Sequence, residues 1–187
     1  MKITVVTVCL NVEETIEATI QSVLAQTYQD IEYLIIDGMS NDGTINIINK
    51  YVNDKRIRFF SEKDNGIYNA MNKALGICTG KYIIYMNSGD VFYDDKVLED
   101  MVPNFQYDLV YGNALIKTRL GDKLETYQGK WKMIYWLFIG RMMSHQSLFV
   151  KTDIMHLYQF NECFQIRADY DFIIRALKDK RSLKYID

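Results

Sequence analysis

Proline is almost missing from this chain: Pro103 is the only one in 187 residues. With no serine- or glycine-rich stretch, no internal repeat and no low-complexity segment, nothing in the chain reads as a linker, and one folded unit is expected. Cysteine is scarce as well. Cys9, Cys78 and Cys163 lie far apart without a C-x-x-C pair, which argues against a structural zinc site and a disulfide framework and fits a reducing compartment. An excess of charge is also lacking, since 22 Lys+Arg stand against 24 Asp+Glu for a formal net charge of -2. No basic face of the kind nucleic-acid binding requires is available, so nucleic acid is not an expected partner.

Long apolar runs are absent too. No segment reaches the roughly 20 apolar residues of a membrane span, and a soluble, cytoplasmic protein is expected. The opening "MKITVVTVCLN" has one lysine and no small-residue cleavage site, so it reads as a first strand rather than a leader. One stretch qualifies this picture. "WKMIYWLFIGRMM" (131–143) gathers both tryptophans with basic residues, a composition that suits either a buried element or contact with a bilayer surface.

What the chain does have is a hydrophobic period that switches repeatedly between strand and helix. Ile3 to Cys9 is a β-branched apolar run, followed by Asn11-x-x-Glu14 as a helix capping box and by apolar Ile16, Ile20, Val23 and Leu24. "IEYLIID" (31–37) predicts a second strand, Ile45, Ile48 and Val52 one face of a second helix, and "RIRFF" (56–60) a third strand. Ile67, Ala70, Met71, Ala74, Leu75 and Cys78 form a helical stripe, and "KYIIYMN" a fourth strand. Such alternation implies parallel strands joined by right-handed crossovers: a three-layer α/β/α sandwich with a mainly parallel, Rossmann-like central sheet. After Asp90 the rhythm loosens into a short helix near 96–102, strands at 108–116 and 145–151, and a last helix opening near Asp169.

Ligands of open α/β sheets bind beyond the carboxyl ends of the strands. The first strand ends on Thr7 to Asn11, the second on Asp37, and the fourth on Asn87, Ser88, Gly89 and Asp90. Any one of these residues serves equally well as a turn or cap; three strand ends converging on one crevice favour a site. Neither a G-x-G-x-x-G nor a P-loop motif is present. An acid beside a diphosphate requires a cation between them, which makes Asp90 a candidate ligand for Mg²⁺ or Mn²⁺, with Asn87, Ser88 and Gly89 shaping a tight turn.

Five segments, "VVTVCLNVEETIEATIQSVLAQTY", "IIDGMSNDGT", "SEKDNGIYNAMNKALGICTGKYIIYMNSGD", "HQSLFV" and "ADYDFIIR", together resemble the family 2 glycosyltransferases. The likeness spans roughly residues 1 to 180, and the block from Asp64 to Asp90 is most similar to the bacterial exopolysaccharide and colanic-acid enzymes. It implies a single GT-A catalytic domain, residues 1–90 binding the nucleotide sugar and 91–187 forming the acceptor side, where such enzymes often continue further. The implied activity is metal-dependent, inverting glycosyl (hexosyl) transfer in bacterial surface-polysaccharide synthesis. UDP- or GDP-sugars are the implied donors, and saccharides or lipid-linked saccharides at the inner membrane face the implied acceptors.

The same resemblance implies residue roles. Thr7, Asn11 and Glu13 fall where the first loop wraps the nucleotide, Asp37 where an aspartate meets the base, and Asp64 in the segment closing over the donor. "NSGD" occupies the place of the DxD metal motif, with Asp90 its terminal acid and Ser88 where the first acid is usual. "ADYDF" matches the ED motif carrying the general base, with Ala168 in place of glutamate. Asp171 stands four residues before Arg175, an ion-pair spacing, whereas Asp169 stands near the inward stripe of Tyr170, Ile173, Ile174 and Leu177. Asp169 is therefore chosen as base, with Asp171 the alternative. His145 faces the diphosphate in the family pattern, although a histidine at a strand start serves structure equally well; Tyr68 and Lys73 are surface groups or donor contacts.

The two lost acids keep a second function open, a nucleotide-sugar-binding partner without turnover in an assembly complex. A sugar-nucleotide pyrophosphorylase would need a glycine- and arginine-rich first loop, and an aspartyl-nucleophile phosphatase an acid ending the first strand. "TVCLNVEE" supplies neither.

Overall fold

The computed structural model describes residues 1–118, 121–126 and 143–187. The aromatic stretch 131–143 lies outside the described residues except for Met143, which is buried in the core.

Among the described residues a seven-stranded sheet runs in the order β3-β2-β1-β4-β8-β5-β9. Its first half is parallel: β1 (Ile3–Cys9) pairs with β2 (Ile31–Asp37) and β4 (Tyr82–Tyr85), and β2 with β3 (Ile57–Ser61). Every residue of β1, β2 and β4 is buried, as expected where helices cover both faces of a parallel sheet. The strand period then sorts side chains between two cores. Ile3, Val5, Tyr33, Ile35 and Ile84 pack against α1 (Ile16–Leu24), α2 (Thr44–Asn49) and α4 (Val97–Met101). Val6, Val8, Leu34, Ile36 and Ile83 pack against α3 (Ile67–Ile77), α5 (Thr152–Tyr158) and α6 (Ala168–Lys178). The three-layer sandwich is thus present.

The second half of the sheet is mixed. β8 (Leu148–Lys151) runs antiparallel to both β4 and β5 (Leu109–Tyr111), while β9 (Leu183–Tyr185) is parallel to β5. Four sequence expectations differ from the structure. The single strand at 108–116 is two, because the chain leaves the sheet after Tyr111 and β6 (Ala114–Thr118) pairs instead with β7 (Gly121–Glu125) in a separate hairpin. Gly112 sits at that departure, where a Cβ would come within 2.8 Å of Met101 Cε. Residues 145–147 form a 3-10 turn, so β8 begins only at Leu148. Helix α2 ends at Asn49, leaving Val52 exposed on a turn. The capping box also fails: α1 starts after Thr15, while Asn11 is in the left-handed region (φ 53°) with its side chain engaged elsewhere. Among the described residues no helix is long and apolar enough to cross a membrane.

Candidate active site

The loops after β1 and β2 are zipped together by backbone-to-side-chain bonds. Asn11 donates its N–H to Ser40 Oγ at 2.8 Å and accepts from Asn41 N at 2.8 Å. Val12 N donates to Thr44 Oγ1 at 2.8 Å, Glu13 N to Asp42 Oδ2 at 3.1 Å, and Gly43 N to Glu13 Oε2 at 2.5 Å. Beneath them Asp37 is fully buried. Its carboxylate accepts from Ser40 N at 3.0 Å, from Ser61 Oγ at 2.6 Å and from the Ser40 hydroxyl. Beside it the Cys9 thiol is pushed far above its ordinary value, first by burial and then by the Asp37 charge, which leaves it inert.

Thr7 is equally enclosed. Its hydroxyl donates to Met86 O at 2.7 Å, so the Tyr33 hydroxyl, 2.9 Å away, must donate to it. Here its side chain braces β1 against the end of β4. Asp64 lies beside the end of β2, its Oδ1 accepting from Gly66 N at 2.9 Å and its Oδ2 2.7 Å from where a Cβ on Gly38 would sit. A side chain at position 38 would push that carboxylate from its place.

The turn after β4 is held from α1. Thr15 Oγ1 meets Ser88 Oγ at 2.9 Å, and Thr19 Oγ1 accepts from Gly89 N at 3.0 Å and donates to Asp90 O at 2.9 Å. Gly89 has φ 96°, a conformation that glycine adopts at little cost. On the other side, two consecutive residues of the 145–147 turn reach the two acids of the site. Gln146 Nε2 donates to Asp90 Oδ2 at 3.0 Å, and His145 Nδ1 lies 3.1 Å from Asp169 Oδ2. His145 Nε2 is 3.0 Å from Asn87 Nδ2, so with Asn87 donating there the neutral ring carries its proton on Nδ1 and presents it to Asp169. Asp171 points elsewhere, paired with Arg175 at 2.8 Å as its i,i+4 spacing predicts.

The environments push the two acids apart. Burial lifts Asp90 above the usual carboxylate range, against smaller opposing effects from Gln146 and His145. Burial works the same way on Asp169, but the hydrogen bond from His145, with the amides at its own helix start, prevails and holds it below that range.

The oxygens present fit a cation shared with a ligand's phosphates. Asn87 Oδ1 is buried without a hydrogen-bond partner, and Asp90 spends only Oδ2, on a neutral amide. Among the described residues no group of three His, Cys, Asp or Glu side chains is placed to enclose a metal by itself. One carboxylate and an amide oxygen suffice for Mg²⁺ or Mn²⁺ when phosphates and water complete the shell. Of the residues singled out from the sequence, Asn87, Asp90, His145 and Asp169 meet in one cluster, with Ser88 and Gly89 in its turn. Asn11, Glu13 and Asp37 form the loops over β1 and β2. Thr15, Thr19 and Ser40 add to the site without a sequence signal: a small hydroxyl residue carries no pattern that reveals a partner about thirty residues away, as for Ser40 and Asn11, or about seventy, as for Thr15 and Thr19.

The family model for glycosyl transferase family 2 matches residues 4–163, and the chain belongs to that family. The chain is 26% identical over 180 residues to a PGL/p-HBAD biosynthesis glycosyltransferase of Mycobacterium bovis, covering 91% of this chain and 67% of that one. It is 36% identical over 95 residues, 51% of its length and 38% of the relative's, to the Escherichia coli UDP-Glc:alpha-D-GlcNAc-diphosphoundecaprenol beta-1,3-glucosyltransferase WfaP. In fold it matches S. aureus TarS 1-349 in complex with UDP-GlcNAc, with TM-score 0.82 at 20% identity over 100% of this chain and 56% of that one. It also matches a Pyrobaculum calidifontis mannosyltransferase in complex with GDP-Man and Mn²⁺, with TM-score 0.76 at 14% identity over 98% and 54%. These are structures of the GT-A fold. The chain spans little more than half the length of these two solved structures.

Proposed function

We propose that this protein transfers a sugar from a nucleoside-diphosphate donor to an acceptor hydroxyl in one displacement, inverting the anomeric centre. The observation that carries this reading is the pair of opposed acids held by neighbouring residues, Asp90 by Gln146 and Asp169 by His145. Asp90, with Asn87 Oδ1 beside it in the turn, would hold Mg²⁺ or Mn²⁺, and such a cation would supply charge stabilisation to the departing phosphate. Asp169, kept ionised by His145, accepts the acceptor's proton, a role that contributes typically 10²- to 10⁴-fold. The zipped loops with Asn11, Glu13, Asp37 and Asp64 cradle the nucleotide and donor, so residues 1–90 form the donor side and the later residues the acceptor side. Thr7 contributes by bracing the strand end and Asp37 by shaping the loop above it.

The acceptor is a saccharide or lipid-linked saccharide of bacterial polysaccharide or glycolipid synthesis, as the names of the two relatives suggest. The setting is the cytoplasm, at the inner membrane face. The departures at Ser88 and Ala168 favour a second reading, nucleotide-sugar binding without turnover: Ser88 bonds to Thr15, and Ala168 is fully buried.

Calorimetric titration of UDP and GDP, with and without Mn²⁺, on the wild type and Asp90→Ala tests the donor site. Binding that needs both cation and Asp90 supports it, and turnover of the matching sugar donor then separates transferase from binding partner. No binding of either nucleotide overturns both readings.

A further inference from the structure

Helix α3 starts at the donor-side loop and passes under the segment that leads into α6, and its side chains hold both. Asn69 does so by itself: its Oδ1 accepts from Asn65 N at 3.1 Å, and its Nδ2 donates to Glu162 Oε2 at 2.9 Å. One turn on, Asn72 Nδ2 donates to Glu162 Oε1 at 2.8 Å and to Phe160 O at 2.9 Å, while its Oδ1 accepts from Phe160 N at 3.0 Å. Both carboxylate oxygens of Glu162 are thus taken by α3. Tyr68 adds a third grip, its ring 5.4 Å from that of Phe160 and its hydroxyl against the backbone amides of Arg167, Ala168 and Asp169. The i and i+4 spacing of Tyr68 and Asn72, with Asn69 between them, places all three on one side of the helix.

We propose that Asn69 and Glu162 are positioning residues, a link through which the order of the Asp64–Gly66 loop sets the placement of Asp169. The proposal rests on the reading of Asp169 as base and of this crevice as the donor site. Neither residue touches the reacting atoms. The side chains in the link are short or fully hydrogen-bonded at both ends, so a shift of the loop is carried across α3 with little slack. A base displaced by about 1 Å costs on the order of 100-fold in rate. A donor that orders the loop therefore also orders its base.

Hydrogen exchange read by mass spectrometry on residues 64–67 and 160–169 tests this without any ligand. Asn69→Ala is expected to speed exchange in both segments, and Glu162→Ala in 160–169 alone. Unchanged exchange of 160–169 in Asn69→Ala overturns the link, provided unchanged thermal midpoints show intact folding; Asn69 is half-buried and Glu162 exposed, and Glu162→Gln offers a milder second variant. With UDP and Mn²⁺ the wild type should gain protection at 160–169 and the two alanine variants should not. In turnover, Glu162→Ala should lose about 10- to 100-fold in kcat with the donor KM held within about twofold, and Glu162→Gln should recover part of the loss. A fall in KM affinity with kcat unchanged would overturn the positioning role. A wild type that binds no nucleotide would remove the functional reading instead, and the exchange comparison would still decide the link.

Discussion

His145 Nδ1 lies 3.1 Å from Asp169 Oδ2, and the same ring meets Asn87 through its other nitrogen at 3.0 Å. One imidazole thereby joins the first turn of α6 to the end of β4, the two places from which the site's acids come. The Asp169 carboxylate is oriented by this contact, and the proton on Nδ1 offsets the burial that would otherwise neutralise it.

If Asp169 is the base, Asp169→Asn should lower kcat by about 10²- to 10⁴-fold and leave nucleotide affinity intact. Asp171→Asn, which breaks only the contact to Arg175, should cost less than about 1 kcal/mol of stability and little activity. Steady-state kinetics with a calorimetric Kd for each variant separates the two acids. Equal losses in both would reject the assignment.

The pH dependence follows from the direction of the Asp169 shift. Its folded pKa is depressed, so its ionised form stabilises the fold above the ordinary carboxylate pKa, and that contribution disappears as pH falls through the lower folded value. The acid limb of kcat therefore lies below the usual carboxylate range. Removing the imidazole leaves burial as the main influence, so His145→Ala should move the acid limb upward. A pH–rate profile unaltered by His145→Ala would show that the ring does not tune the base.

Thr7→Val keeps the shape but removes the hydroxyl between Met86 O and Tyr33. Two buried polar groups then lose a partner, an expected cost of about 1–3 kcal/mol in chemical denaturation. Nucleotide affinity should be unchanged in the folded fraction. A large affinity loss without destabilisation would return Thr7 to direct nucleotide contact.

At the opposite end of the sheet, Glu32 is buried and accepts from Thr4 Oγ1 at 2.7 Å, Thr79 N at 2.6 Å and Arg58 Nη1 at 2.6 Å. Burial opposes its charge, but the Thr79 amide and the Thr4 and Arg58 donors prevail and depress its pKa. Glu32→Gln should destabilise the fold by about 1–3 kcal/mol near neutral pH, since an amide cannot accept all three bonds. The deficit should shrink as pH falls below the ordinary glutamate value, where the wild type loses the same charge. Urea titrations at neutral and acid pH check both statements.

The sequence by itself determined the layers and the family. Continuous β-branched runs and 3.6-residue stripes report burial on two faces or one, and in β1, β2, β4, α1 and α3 that was enough to place the strands, the helices and the polar strand ends. The spacing of Asp171 and Arg175 likewise foretold their pairing, because both partners lie on one helix. Tertiary structure decided the rest. The period of a strand does not report its direction, so the antiparallel entry of β8 between β4 and β5 and the break after Tyr111 carried no local signal. Nor does a polar residue announce a distant partner. Asn11 reads as a cap until Asn41 takes its side chain, Thr7 reads as a ligand contact until Met86 and Tyr33 enclose it, and His145 joins Asp169 to Asn87 across 24 and 58 residues of chain. Local pattern encodes which face is buried; which polar groups meet depends on how the buried faces stack.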